Sequence, residues 1–310
     1  MNTGLHHTAR PRPPIKAYLL LGVGVLAVSF AAIFIKMTVA PPAITAFYRM
    51  IMTSVILLPI AGRDSWRLMR RFSVRERGAV TASGALLALH FILWIGSLVY
   101  TSVASSTLVL SLQPIFALIG ARIFLGERVV RKAWRYALLA VVGTALIGWR
   151  DVAAGGTAAL GDLLSLGGVV AVTGYLLIGQ SLRHKAKALP YSLLVYIVAA
   201  CVLGLYCVAR GYSFTDYGWS DWRAFILLTL IPTILGHTLF NALLKFLPAS
   251  TVSMSIVGEP LGATALAYVI FGDQVPLAWF VGAALSVTGI VVFMRVTHSA
   301  SAPDPATAEV

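Results

Sequence analysis

Residues 250–275, with the sequence STVSMSIVGEPLGATALAYVIFGDQV, decide the fold because a related stretch occurs 146 positions earlier. That counterpart is residues 104–129, with the sequence ASSTLVLSLQPIFALIGARIFLGERV. The two align so that the Gln-Pro pair at 113–114 falls on the Glu-Pro pair at 259–260. The chain is therefore predicted to be internally duplicated.

The composition is typical of a polytopic membrane protein. Of the 310 residues, 59% are hydrophobic and only 11% are charged, too little polar surface for a soluble globule. The net charge of +13 would suggest nucleic acid in a soluble protein, but here the basic residues cluster in short links between apolar runs. We expect the lipid bilayer as a partner, and no nucleic acid.

Apolar runs long enough to cross a bilayer, about 20 residues each, indicate ten transmembrane helices. The segments are 17–39, 43–61, 78–98, 102–124, 131–149, 161–182, 189–209, 222–246, 248–271 and 275–295. The first five form a predicted repeat over 17–149, and the second five form another over 161–295. Tails at 1–16 and 296–310 complete the predicted organisation.

The basic residues predict the orientation of the chain. With the N-terminus inside, the inner links collect 19 of the 24 Lys and Arg residues. By the positive-inside rule, both termini are expected in the cytoplasm, with the protein in a bacterial-type inner membrane. Five helices per half force the halves to insert in opposite directions, and such inverted repeats are typical of secondary transporters.

Each half carries a Pro in its fourth helix, followed by Gly-Glu at 126–127 or Gly-Asp at 272–273. Ten helices with these paired motifs resemble the EamA-type members of the drug/metabolite transporter superfamily over about residues 17–295. Within it, the chain is similar to YddG-like exporters of amino acids, including aromatic ones. The resemblance implies an all-α polytopic membrane protein that exports small metabolites. Asp273 departs from the family's usual Glu.

Ionisable residues inside membrane helices are costly and usually face the protein interior, so they are candidate site residues. Glu259 shares a helical face with polar residues and precedes Pro260, while Gln113 precedes Pro114 in the counterpart. Both helices are predicted to line a cavity and to bend at these prolines. The alternative is that the prolines introduce static kinks and that Glu259 is a buried, protonated or paired group.

Two histidines fall within helices, each with a polar or aromatic partner four residues later. His90 shares a face with Trp94, and His237 shares one with Asn241. An imidazole beside an indole suits an aromatic or amphipathic ligand, although either histidine could instead be a packing residue. Tyr48 and Arg49 start about 9 Å into the second helix, within reach of either a ligand carboxylate or the outer headgroups.

The predicted function is a secondary transporter that works by alternating access, with a midplane site between the repeats. Proton coupling is compatible with Glu259 and the histidines but is not required by the sequence, and the oligomeric state stays open. The alternative is an intramembrane enzyme acting on a lipid or isoprenoid, but no H-E-x-x-H, Asp-rich cluster or G-x-S-x-G occurs. We therefore expect no enzymatic activity, no cofactor and no metal site; a channel would need rings of charge that are absent.

Overall fold

The computed structural model describes residues 14–101, 103–127, 130–152, 157–271 and 277–300. The Gly-Asp motif at 272–273 and the outer parts of both predicted tails lie outside these ranges. Within them the regular structure is entirely helical.

Helices coincide with every one of the ten predicted segments. They are α1 (Ile15–Ile35), α2 (Pro42–Arg71), α3 (Val74–Ser97), α4 (Val103–Leu110), α5 (Gln113–Phe124), α6 (Arg131–Val152), α7 (Ala158–Leu182), α8 (Ala188–Ala209), α9 (Trp219–Leu228), a π-helical segment (Thr229–Thr238), α10 (Leu239–Leu243), α11 (Ala249–Ile256), α12 (Glu259–Phe271) and α13 (Leu277–Ala300). In the described residues, eight helical stretches are long and apolar enough to cross a membrane, and Leu108–Phe124 is a shorter apolar helix. The prediction of an all-α polytopic membrane protein is confirmed.

The fourth helix of each repeat is interrupted rather than merely bent. In the first repeat, α4 ends at Leu110 and α5 begins at Gln113; in the second, α11 ends at Ile256 and α12 begins at Glu259. The proline of each pair is thus the second residue of a new helix. A backbone N–H at that position has no partner within the helix, so a proline there costs no hydrogen bond. The sequence predicted bends at these prolines, and the structure has a two-residue break just before each Gln-Pro or Glu-Pro pair.

Two hydrogen bonds of the Gln180 side chain, near the end of α7, show that the fourth helices of the two repeats run in opposite directions. Its side-chain amide donates to Glu127, just beyond α5, at 2.7 Å. Its carbonyl oxygen accepts from the backbone N–H of Ala249, where α11 begins. The fourth helix of the first repeat therefore ends where that of the second repeat starts. We call this end of the bundle, with the links 72–73, 183–187 and 244–248, the basic face.

The fifth helices of the two repeats, α6 and α13, pack against each other through small residues. A Cβ atom placed on Gly143 would lie 2.6 Å from the carbonyl oxygen of Gly282, and one on Gly289 would lie 2.7 Å from the backbone nitrogen of Ala140. The hydroxyl of Ser286 donates to the carbonyl of Ala140 at 3.0 Å. Only glycine permits this approach, so the crossing depends on both glycines.

We expect Gly143→Ala to destabilise the protein by roughly 1–3 kcal/mol, because the added methyl group meets backbone atoms that cannot turn away. Gly22→Ala is the matched control, since nothing lies within 4 Å of a Cβ at that exposed position of α1. Alanine there should change stability by less than about 1 kcal/mol, in the stabilising direction. Thermal unfolding in detergent measures both, and equal midpoints for the two variants would contradict the tight crossing.

Candidate functional site

A small cavity, which we call the central cavity, lies between the repeats beside both helix breaks. Six polar or aromatic side chains predicted from the sequence line it: Arg49, His90, Trp94, Gln113, His237 and Glu259. The other lining residues are Val28, Ala31, Leu110, Val172, Phe240 and Ile256. The cavity volume is about 30 Å³, which is room for about two water molecules.

Arg49 is the most unusual member of the lining. Its side chain is fully buried, with 1% of the residue exposed. The Nε–H group donates to the hydroxyl of Thr233 at 2.5 Å, and the guanidinium carbon lies 4.6 Å from the centre of the Phe91 ring. Among the described residues, neither terminal nitrogen, Nη1 or Nη2, has a hydrogen-bond partner.

An arginine stays protonated in proteins, so this buried group is a charge whose two terminal nitrogens, with two N–H groups each, are unsatisfied donors. Such an arrangement is costly in the low dielectric of a membrane interior. The contact with the Phe91 ring and the hydrogen bond to the Thr233 hydroxyl replace only part of the lost hydration. Intramembrane charges that remain in spite of this cost generally serve binding or transport. Arg49 is therefore a candidate group for binding an anion in the cavity.

Glu259 and Gln113 occupy equivalent positions, each as the first residue after a helix break. Both are buried. The side-chain amide of Gln113 donates to the hydroxyl of Ser253, on α11 of the other repeat, at 3.2 Å. The backbone carbonyl of Glu259 accepts from the hydroxyl of Ser29 on α1 at 3.3 Å. The broken helices are thus fastened across the interface between the repeats, and only the second brings a carboxyl group to the cavity.

His90 and Trp94 form one wall of the cavity as a parallel stack, with ring centres 5.8 Å apart and planes 3° from parallel. Nδ1 of His90 lies 2.9 Å from the carbonyl oxygen of Gly168 on α7. Because a carbonyl can only accept, Nδ1 carries a proton, and a neutral ring has Nε2 as an acceptor. The indole Nε1–H of Trp94 is buried, with no hydrogen-bond partner in the described part of the chain.

The π-helical segment supplies two groups of the site, Thr233 and His237. The hydroxyl of Thr233 donates to the carbonyl of Leu228, five residues earlier, at 2.7 Å, and that of Thr238 donates to the carbonyl of Thr233 at 3.1 Å. Pro232 within the segment cannot donate to the helical ladder, which favours this irregular winding. Segments of this kind are frequent at functional sites.

Two predicted site residues lie away from the central cavity. The hydroxyl of Tyr48 donates to the carbonyl of Phe214, and its ring stacks on Phe225 at 4.9 Å, in an aromatic cluster at the end of the bundle opposite the basic face. The amide of Asn241 donates to Ser192 at 2.9 Å and accepts from Tyr175 at 2.7 Å. Asn241 instead lines a pocket of about 240 Å³ toward the basic face.

Sequence reasoning missed the two residues that hold Arg49. Phe91 is adjacent to His90, but nothing in a sequence distinguishes a ring under an arginine from an ordinary core phenylalanine. Thr233 lies four residues before His237, a spacing that places both on one face of an α-helix and was a usable signal.

Comparison with known proteins agrees with this architecture. A family model described as the EamA-like transporter family matches residues 15–149 and again residues 159–295. The chain therefore belongs to the EamA-like transporter family, and it is a multi-pass membrane protein built from two repeats.

One solved crystal structure, described only as that of a protein, covers 92% of this chain and 99% of its own, with a TM-score of 0.73. At 17% identity, that likeness concerns the fold alone. No curated protein matches the sequence significantly.

The guanidinium of Arg49 and the carboxyl group of Glu259 are both buried in the apolar bundle, so replacing both with uncharged side chains should stabilise the protein. We expect the double variant Arg49→Met, Glu259→Gln, which keeps most of the volume, to raise the free energy of unfolding by about 1–4 kcal/mol. Arg223→Met is the matched control at an exposed position, expected within about 0.5 kcal/mol of the parent. Thermal unfolding in detergent checks both, and destabilisation by the double variant would show that the two groups stabilise the fold.

Proposed function

We propose that this protein is a secondary exporter of small metabolites, specifically amino acids, including aromatic ones, with its binding site in the central cavity. The observation that carries this proposal is the buried guanidinium of Arg49, whose two terminal nitrogens have no partner among the described residues. A carboxylate is the anion whose planar geometry matches these donors. The His90–Trp94 stack beside it supplies flat apolar surface for a side chain.

The size of the cavity supports alternating access. About 30 Å³ cannot hold an amino acid, so the repeats must move apart for binding. Gln180 ties α7 to both fourth helices at the basic face. At the other end, Asp221 accepts from the hydroxyl of Thr38 at 2.6 Å and from the backbone of Val39 at 3.0 Å. Opening either end of the bundle breaks the hydrogen bonds at that end. The helix breaks beside Pro114 and Pro260 supply hinges for this movement.

Proton coupling is part of the proposal. Glu259 is the carboxyl group of the cavity, and the charged or titratable groups that line it with Glu259 are Arg49, His90 and His237. A carboxyl group that exchanges a proton as the cavity opens to each side would couple flux to the proton gradient. The enzyme alternative has no support from the family, whose members are transporters.

The orientation follows from the charges and has its own test. We place the basic face and both termini in the cytoplasm of a bacterial-type cell, with the protein in the inner membrane. A reporter fused after Ala300, where α13 ends, should report the cytoplasm. One fused after Tyr212, in the link between α8 and α9, should report the periplasm. The reverse pair of results would refute this orientation.

The decisive experiment is uptake of labelled amino acids into liposomes that contain the purified protein. We expect Arg49→Gln to reduce the initial rate about 10- to 100-fold, the loss that follows when a charge-assisted contact worth about 1.5–3 kcal/mol is removed. Arg223→Gln makes the same chemical change at an exposed site and should transport normally.

Variants of other lining residues separate binding from coupling. Trp94→Ala should slow the flux of aromatic amino acids, whereas Trp219→Ala, at a tryptophan that is 73% exposed, should not. Glu259→Gln should abolish stimulation by a pH gradient. Absence of flux across a broad amino-acid panel, or full activity of both Arg49→Gln and Trp94→Ala, would contradict the proposed function.

A further inference from the structure

We propose that the central cavity recognises net-neutral α-amino acids by two charges, with Arg49 binding the carboxylate and Glu259 binding the ammonium group. This inference rests on the proposed function and narrows it to a substrate class. It predicts rejection of molecules that carry only one of the two charges. It also predicts rejection of amino acids whose side chains bring a further charge into the cavity.

Two neighbours fix the orientation of the Arg49 guanidinium. Its Nε–H is occupied by Thr233, whose hydroxyl is itself anchored to the carbonyl of Leu228 at 2.7 Å. The ring of Phe91, 4.6 Å from the guanidinium carbon, further restricts the group. A carboxylate can bind an arginine side-on, through Nε and one terminal nitrogen, or end-on through both terminal nitrogens. Because Nε is occupied, the end-on edge is the one left for a ligand.

Arg49 and Glu259 are not hydrogen-bonded to each other. Both are buried and both line the central cavity, yet neither terminal nitrogen of Arg49 is hydrogen-bonded to the carboxyl group. A simple anion would pair with Arg49 but approach the Glu259 carboxylate, and a simple cation would meet the converse repulsion. A zwitterion with charges a few ångströms apart satisfies both groups and leaves the cavity with no net charge.

The rest of the cavity lining determines which side chains of the ligand can fit. Beyond the charged pair, the lining combines the His90–Trp94 stack with Phe240 and with aliphatic side chains such as Leu110 and Val172. With the imidazole neutral, none of these side chains carries a charge that could neutralise a third one. Apolar and aromatic side chains therefore fit the remaining wall, whereas a lysine or glutamate side chain would be left unpaired in an apolar surround.

The test uses two matched sets of compounds in competition with labelled phenylalanine for uptake into liposomes. The first set is phenylalanine, 3-phenylpropionate and phenethylamine; the second is leucine, 4-methylpentanoate and 3-methylbutylamine. Within each set the side chain is constant, and either the ammonium or the carboxylate is missing. We expect both single-charge analogues to compete at least about 100-fold less well than the amino acid, because each leaves one buried charge unpaired.

Variants assign each charge to its residue. Glu259→Gln should bring phenylalanine and 3-phenylpropionate at least about 10-fold closer in potency, and Arg49→Gln should do the same for phenylalanine and phenethylamine. If Arg49→Gln does not fold, Thr233→Val, which frees the guanidinium, should weaken phenylalanine binding, and Thr233→Ser should restore it. Asp216→Asn is the control, since it removes an exposed carboxylate far from the cavity.

The outcomes distinguish this inference from the proposed function. Equal competition by phenylalanine and 3-phenylpropionate, unchanged in Glu259→Gln, would overturn two-charge recognition while leaving a working transporter. If no compound is transported, thermal unfolding of the purified protein with the same six compounds decides. A rise in midpoint with the amino acids alone would retain the recognition and reject transport, and no rise with either amino acid would reject the recognition too.

Discussion

A bilayer core contains no water to hydrogen-bond a free backbone group, so a helix can break there only where protein or a cavity covers the exposed amides and carbonyls. Two such breaks, at 111–112 and 257–258, stand beside the central cavity, one from each repeat. The residues that flank them, Leu110 with Gln113 and Ile256 with Glu259, all belong to the cavity lining. The position of the cavity therefore depends on where the helices are allowed to break.

The same constraint explains the asymmetry of the site. Gln113 and Glu259 are equivalent by the internal repeat, but the amide of Gln113 donates to Ser253 of the other repeat, whereas Glu259 brings a carboxyl group to the cavity. Arg49, on α2, brings a guanidinium group to the same cavity. The two broken helices are thus equivalent in backbone but not in side-chain chemistry, because only the second brings a carboxyl group to the cavity. The proposed two-charge recognition depends on this departure from symmetry.

Much of the helical organisation could be predicted because hydropathy is a local property, and six of the eight predicted lining residues reach the cavity. The two that do not have identifiable reasons. Tyr48 and Arg49 lie at the same depth, but consecutive residues of a helix point about 100° apart, so only one can face the cavity. Asn241 lies in α10, about 6 Å beyond His237 toward the basic face at 1.5 Å per residue, and its side chain bonds to Ser192 and Tyr175 there.

The sequence by itself determined that the chain spans a membrane, that it is duplicated, and at what depth its charged residues lie, because each follows from the order of apolar and polar residues. Only the tertiary structure decided which of those residues meet. Arg49 contacts Thr233 and Phe91, and its Nη1 and Nη2 have no partner in the part of the chain that the structure describes. Both facts depend on how α2, α3 and the π-helical segment are rotated against one another. Helix packing sets that rotation, and no local pattern encodes it.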